Sequence, residues 1–393
     1  MRCKLGDISE ITKLAGYEFT KYIKYIPDGE IIAVRALNLK NGALVLDDIQ
    51  RISKEVSETL PRSQLHKNDI VLSYTGTLGE CAQIREDGKY HLAPNVCKIT
   101  PNDSVVNPNF LFQYIRCEKF KQTLINYAHG STQPTIPMST IRDIPVDIPD
   151  DLEKQGKIAA ILSALDEKIA INRAINDNLY EMVNAYYTSL FKDVECEMTT
   201  IDNYAERIYS GGTPATSNAT YWGGAFGWFS SGETRNRFVI STEKSITQTG
   251  IDNSSTKLAV KHDIVMASAG QGFTRGQTSM LLIDTYVNQS VIVIHADRNI
   301  LPYLFWNLAN RYEELRAISD SSSIRGSLTT KMIAAFEIPL ANNDVIQTFS
   351  DFAWAVIPQI ENNLLENERL AALRDSLLPK LMSGEIDVSA VQL

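Results

Sequence analysis

Short runs of aliphatic and β-branched residues, bounded by Asp, Asn and Gly, recur along the chain and are typical of strands. Each group of runs precedes a predicted short helix, 108–122 or 301–317, and then an Ile-Pro strand end. The predicted strands are 31–34, 70–73, 96–99, 264–267, 280–283 and 291–294, with the Ile-Pro ends at Ile144-Pro145 and Ile338-Pro339. The pattern therefore indicates a β-rich block followed by helix, twice over.

Two long stretches, 152–191 and 344–382, carry apolar residues alternately three and four positions apart. This spacing predicts helices with a heptad seam, as in a coiled coil. The seam positions are Ile158, Leu162, Leu165, Ile169, Leu179, Val183, Tyr186 and Leu190, then Phe349, Ala353, Val356, Ile360, Leu370, Leu377 and Leu381.

Asparagines interrupt both seams at matching places, Asn172 and Asn176 in the first and Asn363 and Asn367 in the second. A buried Asn costs stability unless it is paired, and its best-attested use is to fix the register of helices. Antiparallel pairing would set Asn172 opposite Asn367 and Asn176 opposite Asn363. We therefore expect an antiparallel rod of about 40 residues, roughly 60 Å long. The alternative is that each helix packs separately on its own domain.

The whole plan is duplicated at about half the chain length. Asp69, in the run His-Lys-Asn-Asp-Ile-Val, returns 194 residues later as Asp263 in Val-Lys-His-Asp-Ile-Val. Met138 and Met332 have the same separation. A duplicated chain tends to fold with a pseudo-twofold axis. The expected fold is α+β, with two β-rich domains separated by a long antiparallel two-helix coiled coil. The expected boundaries are 1–150, 151–200, 201–340 and 341–393.

Composition limits the class of protein. The hydrophobic fraction of 44% over 393 residues excludes a disordered chain. No apolar run reaches the ~18 residues of a spanning helix, and the first residues form no signal peptide, so we expect a soluble cytoplasmic protein without membrane contact. The five cysteines contain no C-x-x-C pair, which argues against a disulfide framework or a zinc site.

The net charge of −9 argues at first against nucleic acid as a partner. The acidity is local, however. Segment 151–200 carries −4 and segment 341–393 carries −5, whereas 1–150 and 201–340 are neutral. An uneven charge of this kind indicates a local function of the helical segments.

Enzyme motifs are absent from the sequence, which has neither an N-P-P-[FY] nor a D-P-P-Y run and no phosphate loop. The run Asp166-Glu167-Lys168 superficially resembles a nuclease acid–lysine pair, but it occupies non-core heptad positions and predicts a solvated helix face. In the antiparallel alignment Leu165 would meet Arg374, which is a poor pairing. We expect no catalytic residue, no cofactor and no metal.

Several motifs resemble a known family. The second block opens with Tyr-Ser-Gly-Gly-Thr-Pro at 209–214, followed by Tyr-Trp-Gly-Gly at 221–224 and Trp-Phe-Ser at 228–230. The second helical stretch ends with Leu-Leu-Pro-Lys-Leu-Met-Ser-Gly-Glu-Ile at 377–386. Together with the duplicated plan, these runs are similar to the specificity subunit of type I restriction–modification systems. The first block departs from the opening motif at 13–17, where it has neither Thr-Pro nor Tyr-Trp.

The resemblance implies a DNA-recognition subunit without catalytic activity. Each β-rich block would be a target-recognition domain that reads one half of a split target in double-stranded DNA. The helices would set the gap between the halves and dock two modification (methyltransferase) subunits, and restriction or translocase subunits would join that complex. Because the two blocks are neutral, we expect tight specific binding to need the modification subunits.

Loops with Ser, Thr, Gly, Asn and Arg are the expected DNA contacts, because these residues hold phosphates or reach base edges. The candidate DNA-binding residues are Arg35, Asn38, Lys40, Ser73, Tyr74, Thr75, Thr77, Gln133, Ser230, Arg235, Asn236, Arg237, Gln271, Thr274, Arg275 and Arg325. Arg235, Arg237 and Arg275 rank first, since Arg binds guanine with two hydrogen bonds. The alternative is that these loops are ordinary turns and helix caps.

Two other classes of function stay open from the sequence. One is an enzyme whose site carries no recognisable motif. The other is a protein-interaction scaffold with duplicated domains that does not bind DNA. The scaffold would explain the rod and the duplication, but it gives no reason for polar loops at matching places in both blocks.

Overall fold

The structure, a computed structural model, describes residues 1–130, 133–191, 197–270, 274–321, 326–389 and 391. This part of the chain divides into two compact units. Unit 1 comprises Met1–Ile169 with Arg369–Leu393, and unit 2 comprises Ala170–Glu368. Each unit therefore contains part of both long helices.

Unit 1 begins with a β-rich region and ends in the first half of a long helix. Its strands are β1 (Arg2–Lys4), β2 (Ser9–Lys13), β3 (Ile31–Val34), β4 (Leu39–Lys40), β5 (Ala43–Leu44), β6 (Gln50–Ile52), β7 (Gln64–Leu65), β8 (Ile70–Ser73), β9 (Cys81–Gln83), β10 (Tyr90–Leu92), β11 (Val96–Pro101) and β12 (Pro145–Asp147). Its helices are α1 (Leu5–Ile8), α2 (Gly16–Tyr22), α3 (Lys54–Thr59), α4 (Pro108–Arg116), α5 (Glu118–Asn126), α6 (Met138–Asp143) and the start of α7 (Leu152–Phe191).

Two sheets form the framework of unit 1, with strand orders β2-β11-β8-β9 and β6-β3-β10-β7. Strand β8 is buried along its whole length, which is why its sequence is a continuous apolar run. On one side its Ile70 and Leu72 join a core that includes Phe110 of α4 and Leu162 of α7. The long helix is thus part of the core of this unit.

Unit 2 repeats this plan. Its strands are β13 (Glu197–Thr200), β14 (Ala205–Ser210), β15 (Trp222–Phe229), β16 (Phe238–Val239), β17 (Lys244–Ile246), β18 (Lys257–Ala259), β19 (Ile264–Ala267), β20 (Thr278–Leu281), β21 (Thr285–Val287), β22 (Val291–Ala296) and β23 (Glu337–Leu340). Its helices are the end of α7, then α8 (Gln248–Asp252), α9 (Leu301–Asn310), α10 (Tyr312–Ser321), α11 (Thr330–Ala334) and the start of α12 (Asn343–Ser383). The sheets have strand orders β14-β22-β19-β20-β16 and β17-β15-β21-β18.

The predicted strands and long helices agree closely with the structure, while the short helices do not. The predicted helix 108–122 is two helices separated at Cys117, whose backbone is extended. The predicted helix 301–317 is likewise split at Arg311, into α9 and α10. The predicted strand 280–283 is β20, which begins two residues earlier and ends at Leu281.

The long helices run antiparallel within each unit, and their asparagines are paired as the sequence predicted. In unit 2 the Asn172 Nδ2 donates to Asn367 Oδ1 at 3.0 Å and to Glu366 Oε2 at 2.7 Å. The Asn363 Nδ2 donates to Asn176 Oδ1 at 2.8 Å. Asn172 is fully buried, so these bonds satisfy its Nδ2 group, which would otherwise be costly to bury, whereas its Oδ1 has no hydrogen-bond partner. Their role in fixing the register stays a prediction.

The prediction for Asp166 was wrong, because its side chain is partly buried in an ion-pair cluster and is not a solvated face. In unit 1 its Oδ1 accepts from Arg374 Nη1 at 2.8 Å, and its Oδ2 accepts from Arg116 Nη1 at 2.5 Å. The guanidinium of Arg374, which the alignment set against Leu165, is therefore neutralised by the neighbouring carboxylate. Among the described residues no helix is both long and apolar enough to cross a membrane.

Candidate nucleic-acid interface

One end of the β2-β11-β8-β9 sheet collects the predicted loops of unit 1. Strand β2 ends at Lys13, which pairs with Cys97, and β8 ends at Ser73, which pairs with Val96. Both strands run antiparallel to β11, so their carboxyl ends lie side by side. The chain segments that leave these two strands therefore start next to each other.

The loop after β8 is held by its first residue. Ser73 is fully buried, and its hydroxyl donates to the carbonyl oxygen of Thr77. Gly76 and Gly79 both have φ of +80°, a conformation that favours glycine. Ser73 thus shapes the loop, whereas Thr77 is exposed at its tip.

A second predicted loop joins the first one directly. Thr75 and Thr135 form a β-bridge with their hydroxyl oxygens 2.8 Å apart, and Gly76 N donates to Pro134 O at 2.9 Å. Gln133 is exposed beside this bridge. The two loops were predicted as separate candidates, and Thr135 was not predicted, because no local motif marks it.

Lys13 is another residue that the sequence did not single out. Its Nζ lies 5.4 Å from the centroid of the Tyr74 ring, a cation–π contact. Partial burial raises the pKa of Tyr74, so its hydroxyl stays protonated at neutral pH. This side of the loop therefore offers a positive charge next to an aromatic hydroxyl.

The third predicted loop of unit 1 presents fewer side chains than expected. Asn38 is fully buried, and its Nδ2 donates to the carbonyl oxygens of Val45 at 3.0 Å and Asp48 at 2.8 Å. Arg35 is ion-paired with Asp48 at 2.9 Å. Both residues hold the loop in shape, and Lys40 is the exposed candidate of this loop.

A tight hairpin fixes the position of Lys40. Asn41 and Gly42 have φ of 53° and 81°, the two positive values that a type I′ hairpin turn requires. Asn41 N also donates to Glu80 Oε2 at 3.0 Å. Because Glu80 directly follows Gly79, the hairpin is attached to the loop after β8, and all three predicted loops of unit 1 lie in one region.

Unit 2 has the same arrangement at the same end of its sheet. Ser210 at the end of β14 pairs with Ile292, and Ala267 at the end of β19 pairs with Val291. Thr274 is partly buried in the loop after β19, and its carbonyl oxygen accepts from Gln277 N at 2.8 Å. The candidates Gln271 and Arg325 lie outside the described residues.

Arg275 does not fit the role that the sequence gave it. Its side chain is buried, with 9% of the residue exposed, and its guanidinium is ion-paired with Asp320. Its Nη1 donates to Gly326 O at 2.6 Å. Arg275 joins two loops of unit 2 from inside, and its guanidinium does not face solvent.

The two other high-ranked arginines are also ion-paired, although they remain exposed. Arg235 pairs with Glu243. Arg237, just before β16, packs against α7, with its Cζ 4.1 Å from the Tyr180 ring centroid and its Nη1 3.8 Å from Asp177. A carboxylate so distant in sequence could not be recognised as the partner of this arginine.

The remaining candidates of the loop 230–237 are Ser230, which is a cap, and Asn236, which is exposed. The backbone N and the hydroxyl of Ser230 both donate to Glu233 Oε1, at 2.8 and 3.0 Å. Ser230 therefore caps the following turn, as the alternative interpretation expected. Asn236 has an exposed side chain, and its carbonyl oxygen accepts from Ser279 Oγ at 2.6 Å.

Clusters for metal binding do not appear in the described part of the chain, where no three His, Cys, Asp or Glu residues are grouped to hold a metal ion. Asp263 and His295 form a close pair, with Oδ1 and Nδ1 2.5 Å apart. Burial raises the pKa of the Asp263 carboxyl. The other oxygen of Asp263 accepts from Val260 N at 3.0 Å, so this carboxylate supports the turn before β19.

Comparison with known proteins places this geometry in a family. The profile described as "Type I restriction modification DNA specificity domain" matches the chain twice, at residues 1–181 and 195–367. The specificity subunit of the type I restriction enzyme HindI from Haemophilus influenzae is 22% identical over 76% of this chain and 81% of its own length. That of MjaIX from Methanocaldococcus jannaschii is 23% identical over 74% and 71%.

A solved structure shares the fold. The type I restriction–modification S subunit from M. genitalium matches with a TM-score of 0.55 and 15% identity, over 97% of this chain and 96% of that one. The doubled domain, the long intervening helix and the paired loop regions thus agree with the profile matches. The chain belongs to the family of type I restriction–modification DNA specificity subunits.

Proposed function

We propose that this chain is the DNA-recognition subunit of a type I restriction–modification complex, in which each unit's β-rich region reads one half of a split target. The observation that carries the proposal is the repeated sheet end, where three loops of polar residues meet in unit 1 and Arg275 joins two loops in unit 2. The two loop sets differ in sequence, as two different half-sites require. The residues 1–150 and 201–340 are the proposed target-recognition domains.

The exposed loop residues are the proposed DNA contacts. In unit 1 these are Lys40, Thr77 and Gln133, with the partly buried Tyr74 and Thr75 beside them. Backbone amides, hydroxyls and basic side chains hold phosphates, while amides and hydroxyls also read base edges. In unit 2 the corresponding candidates are Arg235, Asn236 and Thr274, and Gln271 and Arg325 are retained from the sequence.

A second group of candidates would affect DNA binding indirectly, by holding the loops in shape. Arg35, Asn38, Ser73, Ser230 and Arg275 hold loop backbone by hydrogen bonds or ion pairs. We assign them the role of positioning residues. Replacing them would change DNA binding by altering loop shape. Arg237 belongs with them, since it packs on Tyr180.

The proposed partners are double-stranded DNA and two modification (methyltransferase) subunits. Restriction or translocase subunits would then join this complex. The acidic segments 151–200 and 341–393 carry the net charge and are the proposed docking surface for the modification subunits. The chain itself has no catalytic role in this scheme, and the complex works in the cytoplasm. The paired helices set the gap between half-sites, with Asn172, Asn176, Asn363 and Asn367 fixing their register.

Methylome sequencing of the host with and without this gene tests the proposal. We expect loss of one methylated motif made of two short half-sites separated by a fixed gap. Exchange of residues 1–150 for those of a relative should change one half-site and leave the other intact. An undivided motif, or an unchanged methylome, would reject DNA recognition and favour a scaffold or an enzyme.

Binding measurements with the separate chain give an independent test. The domains 1–150 and 201–340 are electrically neutral, so few counterions are released when they meet DNA. We expect weak binding by the chain alone and tight, specific binding once the modification subunits are added. Tight, salt-insensitive binding by the chain alone would contradict this part of the proposal.

A further inference from the structure

A surface of unit 1 that plays no part in the loops described above shows unusual exposure of aromatic and apolar residues. After β2 ends at Lys13, the chain forms α2 and continues to Ile26. In this segment, here called the Tyr–Lys segment (residues 17–26), Tyr17 is 70% exposed and Ile26 is 41% exposed, with Tyr22 and Tyr25 exposed as well. Large exposed groups of this kind often mark an interaction site.

The exposure is built into the fold. Phe19 and Ile23 point inward and pack against the core that contains Ile32 and Leu65. Ile26 N donates to Arg51 O at 2.9 Å, which ties the end of the segment to β6. Since the inner residues anchor the helix, its tyrosines and lysines are held toward solvent.

Lysines alternate with these tyrosines. Lys21 and Lys24 are exposed, and Lys21 Nζ lies 4.9 Å from the Tyr22 ring centroid. The acidic residue of the segment is Glu18, whose Oε2 accepts from Ala15 N at 3.1 Å as a helix cap. The segment itself carries a net charge of +1, with Asp28 and Glu30 following it in the chain, and its two exposed lysines are suited to contact phosphates.

The segment adjoins the candidate interface. Lys13, the last residue of β2, is three residues before the first turn of α2, and its Nζ contacts the Tyr74 ring at 5.4 Å. Because β2 and β8 end at the same edge of the sheet, the helix that follows β2 emerges beside the loop that follows β8. The start of the Tyr–Lys segment therefore lies next to the loop surface, and its end is bonded to β6 of the second sheet.

Unit 2 has the same chemistry at the equivalent place, with different residues. The chain after β14 leads to Tyr221 and Trp222, both partly buried, and Lys244 Nζ lies 5.7 Å from the Trp222 ring. The two sequences have no common motif here. An aromatic group in contact with a lysine thus follows the corresponding strand in both units.

We propose that the Tyr–Lys segment binds the sugar–phosphate backbone of duplex DNA, with Lys21 and Lys24 at phosphates and Tyr17 against the deoxyribose. The inference rests on the proposed function and deepens it, because it names a contact outside the predicted loops. Lysine and tyrosine are common phosphate ligands, and a contact to phosphate carries no base information. The segment thus contributes affinity and does not select sequence.

The double variant Lys21→Gln/Lys24→Gln in the complex with modification subunits tests this contact. The probes are a duplex carrying the methylome-defined motif and a scrambled duplex of equal length, bound over a range of salt concentrations. We expect the slope of log affinity against log salt to fall in magnitude by about 1.8, because each lost phosphate contact removes about 0.9 from the slope. The matched control Lys67→Gln/Arg85→Gln removes two exposed positive charges just before β8 and just after β9, at the end of the sheet opposite the loops, and should keep the wild-type slope.

Tyr17→Ala separates the aromatic contribution from charge. Its side chain is mostly exposed, so the variant should fold normally by circular dichroism, and we expect about fivefold weaker binding to both probes, as for one lost contact of ordinary strength. If the salt slope and affinity of these variants equalled those of the control, this inference would be wrong. The proposed function would still hold, provided that the wild-type complex preferred the motif duplex. A changed methylated motif would show base reading and also overturn it. Failure of the wild-type complex to prefer the motif duplex would reject the proposed function itself.

Discussion

The carboxylate of Asp166 connects three helices of unit 1. It accepts hydrogen bonds from Gln113 and Arg116 on α4 and from Arg374 on α12. The two arginines would repel each other without it, because their side chains are mostly buried. One acidic residue therefore allows two cations to pack where the long helices meet the β-rich region.

Replacement of Asp166 by Asn should destabilise unit 1 by about 2 kcal/mol. This is less than the cost of breaking a fully buried ion pair, because 24% of the Asp166 side chain is exposed. Urea unfolding followed by circular dichroism measures the change. The control is Asp177→Asn, whose side chain is 76% exposed and which should alter stability by less than about 0.5 kcal/mol. Equal effects of both substitutions would contradict the assigned role.

His91 gives unit 1 a dependence on pH. Its ring is fully buried, with Nδ1 2.8 Å from Leu92 O, and burial lowers its pKa. The unfolded chain therefore binds a proton more readily than the folded chain as pH falls below ~6.5. The contribution of neutral His91 to the free energy of unfolding is fully present above that pH and decreases as pH falls toward the lowered pKa of the folded state.

The variant His91→Gln should lose this dependence, which amounts to at most about 1.4 kcal/mol per pH unit in that window. Free energies of unfolding between pH 7.5 and pH 5 measure the difference from wild type. His129→Gln, which changes an exposed histidine of the same unit, is the control. If the wild type and His91→Gln lost stability in parallel, the burial argument for His91 would be incorrect.

At the scale of elements, the long helices were the most predictable part of the fold. The helix predicted at 152–191 has the bounds of α7, because a sustained heptad pattern carries the same information at every turn. The second helix continues through Pro358 from Asn343 to Ser383. Short helices were less predictable, since breaks at Cys117 and Arg311 depend on packing that a local pattern does not contain.

The loops show the same limit for the candidate site. Their places were predictable, because strand ends can be read from apolar runs and turn residues. The direction of individual side chains was not, since Arg275 and Asn38 bind partners that only the folded loops bring close. Ion-pair partners far along the chain, such as Asp320 for Arg275, leave no trace in local sequence.

The pairing of Asn176 with Asn363 can be measured by a double-mutant cycle. Asn176→Leu should cost about 1–3 kcal/mol, because it leaves the buried amide of Asn363 without its acceptor. The double variant Asn176→Leu/Asn363→Leu should recover most of this loss, since apolar pairs suit a heptad core. Urea unfolding supplies all four free energies. Additive effects of the two substitutions would mean that these amides do not interact.

At the scale of the whole molecule, unit 1 is not a continuous piece of chain, because unit 2 (Ala170–Glu368) is inserted between its two segments. Leu378 and Leu381 of α12 join the core of unit 1, together with Ile158 and Leu162 of α7. Phe349 and Ala353, from the other half of α12, join the core of unit 2. Both long helices therefore belong to the folding of both units.

Deletion of residues 369–393 should destabilise unit 1 by about 5 kcal/mol, from the lost burial of two leucines and Val388. Hydrogen exchange should show reduced protection in β8 and β11, with β19 and β22 of unit 2 unchanged. Leu381→Ala is the corresponding point variant, with an expected cost of about 3 kcal/mol. Leu373→Ala, on the same helix but 46% exposed, should have little effect. Full protection of β8 in the truncated chain would contradict this account.

The interleaving of the units has a consequence for biosynthesis. The ribosome completes Met1–Ile169 and then makes all of Ala170–Glu368 before the last turns of α12 emerge. At ~5–20 residues per second this interval is roughly 10–40 s. Throughout it, the nascent α7 presents Ile158 and Leu162 without their final neighbours, as a ready substrate for chaperones. Until residues 369–393 are made, unit 1 therefore lacks the part of its core that Leu378 and Leu381 supply.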